Sequence, residues 1–123
     1  MPYEFYKVLH LIGIMFLFFS VGGMVLHGMN GGTKESNGSR KWLVIGHGVS
    51  LVVILVAGFG LLARLGLTQG FPLWVWPKLA IWLAMGAVIA LAYRGQAVAK
   101  ALWVAIPLLG AVAAWLAIYK PGV

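Results

Sequence analysis

The sequence predicts an all-α integral membrane protein, folded as an antiparallel up-down four-transmembrane-helix bundle that forms one domain over residues 1–123. Of the 123 residues, 63% are hydrophobic and 9% are charged, and the mean hydropathy of +1.00 is far above that of soluble domains. Four apolar runs approach the length of about 20 residues that a helix needs to cross a bilayer. The later connections between them are short, so we expect successive helices to be antiparallel.

The predicted spans are separated by polar or glycine-rich connections. Residues 28–39 are rich in Gly, Asn and Ser and predict a flexible loop. Residues 66–72 and 94–100 form the two shorter connections. The spans themselves are residues 8–26, 42–63, 73–93 and 101–119.

Residues at helical spacing predict which sides of the first two helices face the bundle interior. Polar groups avoid lipid by facing other helices, and a spacing of three and four residues keeps them on one side. On the first helix this line comprises His10, Gly13, Leu17, Ser20, Met24 and His27, and on the second it comprises His47, Ser50, Ile54, Ala57, Leu61 and Arg64. Small residues four apart predict further close contacts between helices. These pairs are Ala80 and Ala84, Gly86 and Ala90, and Gly110 and Ala114.

Basic residues near the span ends predict the orientation. The chain has nine Lys and Arg against two acidic residues, a net charge of +7, and a membrane setting explains this without a nucleic-acid partner. One face carries Lys34, Arg40, Lys41, Arg94 and Lys100, whereas the opposite face carries Lys7, Arg64, Lys120 and the more deeply placed Lys78. The excess of positive charge on the first face predicts that both termini lie outside, in a bacterial inner membrane.

The amino-acid inventory excludes several kinds of chemistry. There is no Cys and no Asp, and the acidic residues are Glu4 and Glu35. Disulfides, iron-sulfur clusters, thiolate zinc sites, covalently attached haem, Ser/His/Asp triads and paired-carboxylate hydrolysis are therefore excluded. Histidine, lysine, methionine and aromatic side chains must carry any chemistry.

His10 and Lys78 are the candidate catalytic residues. If the first helix extends back to Phe5, His10 lies about five residues below its outer end, as Lys78 does below Leu73 at the end of the third span. This depth is roughly 8 Å for both, so the two can meet across the bundle. Lys7 and Arg64 belong to the same outer level, with Lys120. Such a group could bind the carboxylates of an amphiphilic anion such as a porphyrin, while His10 binds iron or carries a proton.

The other two histidines leave alternatives open. His47 is a second candidate metal ligand, but it lies more than about 10 Å from His10 in depth, so one haem cannot use both. His27 and His47 could instead form a bis-histidine site near the inner face. The competing interpretation is that each imidazole bonds a backbone carbonyl or a serine of a neighbouring helix, and that Lys78 extends to the headgroups.

Several segments resemble a known family. Lys7-Val-Leu-His10-Leu-Ile-Gly13, Trp76-Pro-Lys78-Leu-Ala80, Ile106-Pro-Leu-Leu109 and Tyr119-Lys-Pro121 are similar to the small four-helix protoporphyrinogen oxidases called HemJ. Segments 46–50 and 58–61 also resemble the related SirB-type and CopD-type membrane proteins. The resemblance implies binding of haem b and oxidation of protoporphyrinogen IX, with His10 and Lys78 matching the histidine and lysine that HemJ proteins need.

Three functions remain as hypotheses. The first is a haem- or porphyrin-binding redox protein that passes electrons to a membrane acceptor such as quinone. The second is a non-catalytic small subunit of a larger membrane complex or a homo-oligomer. The third is a copper or solute carrier of the CopD kind, for which Met24, His27 and Met29 offer soft ligands.

Overall fold

The protein is all-helical over the residues that the computed structural model describes, which are 2–33, 35–66 and 70–119. The four helices are α1 (Tyr3–Met29), α2 (Arg40–Arg64), α3 (Val75–Leu91) and α4 (Gln96–Tyr119). Helices α1, α2 and α4 are long and apolar enough to cross a membrane, as the hydropathy predicts. Lys34 and Lys120, which contribute to the predicted orientation, lie outside the described residues.

Helix α3 is shorter than the predicted third span. It has 17 residues, which correspond to about 26 Å against a hydrocarbon core of roughly 30 Å. The helix is two residues shorter than the predicted run 73–93 at each end, because Leu73 and Trp74 form a turn before it and Ala92 and Tyr93 form a turn after it. The other three helices extend beyond their predicted spans into the more polar flanking sequence.

The predicted interior sides of α1 and α2 form the centre of the bundle. Four predicted positions on each helix are buried: Gly13, Leu17, Ser20 and Met24 on α1, and His47, Ser50, Ile54 and Ala57 on α2. Met85, Val88 and Ile106 from α3 and α4 complete the main hydrophobic core. The helical periodicity is therefore confirmed for these two helices.

Glycines allow α1 and α2 to pack closely, and this is the most extensive helix pair in the structure. A Cβ at Gly13 would lie 3.0 Å from the Ile54 side chain, and a Cβ at Gly23 would lie 2.8 Å from Leu43. Helices approach this closely only where side chains are small, and the extra backbone contact stabilises a bundle in lipid.

The predicted small-residue pairs of α3 and α4 contribute little to packing. Ala80, Ala84, Ala90 and Ala114 are exposed at the bundle surface, so the expectation that they form contact surfaces within this chain is wrong. The two glycines differ from the alanines, because the ring of Phe18 lies against Gly110 and the Leu51 side chain lies near Gly86. Helix α3 packs more extensively on α4 than on α2.

Candidate functional site

A hydrogen bond to the backbone of α2 orients the His10 imidazole. Nδ1 of His10 lies 2.9 Å from the carbonyl oxygen of Ile54. A carbonyl only accepts, so Nδ1 carries a proton, and in the neutral form of the ring the lone pair is at Nε2. Gly58, one turn beyond Ile54, leaves room for the ring, since a Cβ there would lie 3.4 Å from Cε1 of His10.

Lys78 lies near the start of α3. The Lys78 ammonium lies close enough to His10 for the two side chains to interact electrostatically. Its Nζ also lies 5.6 Å from the ring centroid of Trp74, within the range of a cation-π contact. Trp74 is buried and Lys78 is partly buried. An imidazole and an ammonium thus share one level of the bundle.

Two further basic residues of the predicted site are placed at the surface. Lys7 is on the first turns of α1 and Arg64 is the last residue of α2. Both are exposed, and neither side chain makes a hydrogen bond or ion pair within the described ranges. Neither residue is seen in contact with His10. Their sequence positions place them at the same end of the bundle, where their charges add to the positive field.

His47 occupies a different level and has a different partner. Its Nε2 donates to the carbonyl oxygen of Met85 on α3 across 3.0 Å, and the residue is 4% exposed. Ile54 and Gly58, which contact His10, lie about 10 and 16 Å beyond His47 along the axis of α2. The structure therefore does not bring His10 and His47 together.

A buried polar layer surrounds His47. Ser20 and Ser50 are 4% and 3% exposed, respectively. Ser50 donates to the carbonyl of Gly46 within its own helix, and the Ser20 side chain lies against Gly46. The His47 bond joins α2 to α3 at this level, while Ser20 of α1 packs against α2 beside it, which is the behaviour expected of a structural histidine.

His27 bonds to the first loop. Its Nε2 lies 2.9 Å from Oγ of Ser36, and its ring makes an edge contact with Tyr93 at 6.2 Å between centroids. The Met24 side chain is 0% exposed within the core. The arrangement gives no support to a bis-histidine site with His47, and it uses Met24 for packing.

The side chains available as metal ligands limit how the protein could bind iron. Within the described parts of the chain, no group of three or more His, Cys, Asp or Glu side chains could hold a metal ion. A bare metal ion needs about four protein ligands, whereas a porphyrin supplies four nitrogens and asks the protein for one or two axial ligands. One oriented imidazole therefore fits haem better than it fits a free metal ion.

Two cavities in the described residues lie away from His10. One of about 310 Å³ is lined by residues of the α1 end and the first loop, His27 and Asn37 among them. Another of about 240 Å³ lies between α2 and α3 near Arg40 and Tyr93. Neither includes His10 or Lys78. His10 is only partly buried, so a flat ligand at Nε2 would lie toward the outside of the bundle.

Sequence reasoning missed two polar contacts between elements. The indole of Trp82 donates to the carbonyl of Leu51 across 3.0 Å, and the amide of Asn37 donates to the Tyr93 hydroxyl across 2.8 Å. A tryptophan in an apolar helix needs an acceptor for its N–H, so the sequence could have predicted a hydrogen bond from Trp82 to another part of the bundle. Nothing in the sequence distinguishes Asn37 from other loop asparagines, so its bond to Tyr93 could not be predicted.

The comparisons with known proteins gave no relatives: no protein-family model, no curated protein and no solved structure matches this chain.

Proposed function

We propose that this protein is a membrane-embedded redox protein that binds haem b or a related porphyrin, with His10 as the axial ligand. The observation that carries the proposal is the His10 geometry: Nδ1 is held by Ile54 and Nε2 has no hydrogen-bond partner within the described residues. Metal-bound histidines characteristically donate their second ring nitrogen in this way, which fixes the tautomer and the ring orientation. The adjacent Lys78 ammonium adds the charge that a propionate needs.

The proposal includes an antiparallel arrangement of all four helices in the membrane. Contacts between α1 and α2 run in opposite sequence order, from Tyr6 against Gly60 to Gly13 against Ile54 and Gly23 against Leu43. Such an order supports an antiparallel pair. Helix α3 would complete its crossing with the flanking turns. The basic connections then face the cytoplasm and both termini lie outside a bacterial inner membrane.

His10 and the basic residues have different roles at the proposed site. His10 would hold the iron, and Lys78 would bind a propionate through a charge-assisted hydrogen bond. Lys7 and Arg64 would raise the local concentration of an anionic porphyrin by their field. Haem, when bound, supplies one-electron redox chemistry. The resemblance to HemJ-type proteins makes protoporphyrinogen IX the proposed substrate, and a membrane acceptor such as quinone would take the electrons.

His47 has a structural role in the proposal. Its Nε2 is engaged with Met85, so it serves the packing of α2 on α3 and is not proposed as a ligand of the same iron.

The test is an absorption spectrum of the protein purified in mild detergent, followed by titration with haemin. We expect a Soret band from bound haem, and we expect His10→Ala to weaken haemin binding by more than about tenfold. His27→Ala is the matched control, since it removes a hydrogen-bonded imidazole from the same helix. A preparation that has no Soret band and takes up no haemin would refute the proposal. If such a preparation also contains a second protein in stoichiometric amount, the small-subunit hypothesis would be favoured.

A further inference from the structure

A groove lies between α2 and α3 at the end of the bundle opposite to His10. Its cavity of about 240 Å³ is lined by Arg40 and Val44 from α2, by Ile89 and Ala90 from α3, and by Tyr93 from the turn that follows α3. We call it the α2–α3 groove. Helix α2 packs far less extensively on α3 than on α1, which leaves this opening on the surface that faces lipid.

The groove is polar at one end and apolar along its length. Arg40 and Tyr93 stand at the ends of their helices, whereas Val44, Ile89 and Ala90 lie about one turn deeper along α2 and α3. The Tyr93 hydroxyl accepts a hydrogen bond from Asn37, so its own proton is available to donate outward. Two donors thus flank the mouth of an apolar channel.

Positive charge collects at this mouth without compensation. Arg40 and Lys41 are in the first turn of α2, which contains no acidic residue. The N-terminus of a helix carries a partial positive charge, and the two basic side chains add to it. Arg94 and Lys100 belong to the same end of the bundle. The Arg40 side chain makes no hydrogen bond or ion pair within the described residues, and Glu35 is the acidic residue on this side. The end therefore attracts an anion.

We propose that the α2–α3 groove binds an anionic phospholipid, with its phosphate at Arg40 and Tyr93 and one acyl chain along Val44, Ile89 and Ala90. A free phosphate would use the mouth of the groove and leave its apolar length uncovered. Basic pockets between membrane helices are suited to lipid phosphates because the membrane supplies both the charge and the chain. This site is independent of haem binding, since it lies at the other end of the bundle.

The experiment uses the full chain, purified and delipidated in mild detergent, with native mass spectrometry of lipid retention. The probes are phosphatidylglycerol and phosphatidylcholine with identical acyl chains. We expect the protein to retain phosphatidylglycerol in preference to phosphatidylcholine, and we expect Arg40→Gln to reduce that preference by about fivefold. Lys100→Gln removes one charge from the same end but outside the groove, and should leave the preference unchanged. Equal losses in the two variants would indicate general charge attraction and overturn the proposal.

A second pair of variants tests the apolar part of the groove. Ala90→Leu places a larger side chain in the channel and should lower retention of phosphatidylglycerol while preserving the fold. Ala87→Leu makes the same change one turn earlier at an exposed position that does not line the groove, and should have no effect. If Ala90→Leu retains lipid as the unchanged protein does, or if inorganic phosphate displaces the lipid completely, the acyl-chain site is wrong.

Discussion

A methyl group at Gly28 should disrupt the contact between the end of α1 and the turn that joins α3 to α4. Gly28 is buried one residue before the end of α1. A Cβ at this position would overlap the carbonyl oxygen of Ala92 and lie 3.1 Å from the Cβ of Ala99. Backbone atoms cannot rotate away as a side-chain tip can, so the two segments would have to separate. We therefore expect Gly28→Ala to be destabilising.

The magnitude follows from two opposing effects. Overpacking of a close contact costs about 1 to 3 kcal/mol, whereas replacing Gly by Ala in a helix gains at most about 1 kcal/mol. The gain is smaller in the last turn, where Gly28 lies. The net loss in the free energy of unfolding should be about 1 to 2 kcal/mol.

The assay is unfolding in mixed micelles by increasing dodecyl sulfate, followed by circular dichroism. Gly22→Ala is the matched control, because Gly22 is on the same helix and a Cβ there would meet no heavy atom within 4 Å. Gly22→Ala should be neutral or slightly stabilising. If the two variants unfold at the same detergent fraction, the close approach of α1 to Ala92 is incorrect.

Three further outcomes test individual contacts. Trp82→Phe removes the bond to the Leu51 carbonyl and should lower the free energy of unfolding by about 0.5 to 1.5 kcal/mol in the same micelle assay; no change would mean that the indole has an equivalent partner elsewhere. Tyr93→Phe removes the acceptor for the loop amide and should cost about 1 kcal/mol in that assay, and an unaltered midpoint would contradict this bond. Lys78→Gln should weaken haemin binding by about 1 kcal/mol and leave the Soret maximum where it is. Lys100→Gln, the control, should change neither the affinity nor the maximum. A shifted maximum in Lys78→Gln would mean that Lys78 acts on the iron itself.

The sequence predicts the centre of the bundle well because polar residues mark it. Ser20, His47 and Ser50 could not face lipid without cost, so their helical spacing identifies the buried sides of α1 and α2. Depth counted along the spans also predicts that His10 and Lys78 lie at one level, and in the structure Lys78 is within electrostatic range of His10. These inferences need only helix geometry and the cost of polar groups in lipid.

The sequence is less informative where every side chain is apolar. Helices α3 and α4 face both lipid and protein with similar residues, so the spacing of Ala80, Ala84 and Ala114 does not reveal whether a helix lies opposite them. The acceptors Ile54 and Met85 are also beyond sequence reasoning, because a backbone carbonyl has no residue signature. The proposed role of His10 as an iron ligand rests on the Ile54 contact, which only the fold reveals.

Chemical rescue of His10→Ala is the most direct measurement of iron ligation by His10. The variant is titrated with haemin in the absence and in the presence of imidazole, and the Soret band is recorded. If the His10 Nε2 is the axial ligand, the variant should bind haemin poorly alone and regain the band of the unchanged protein when imidazole occupies the vacated position. A variant that binds haemin with unchanged affinity and spectrum, with or without imidazole, would contradict the role of His10.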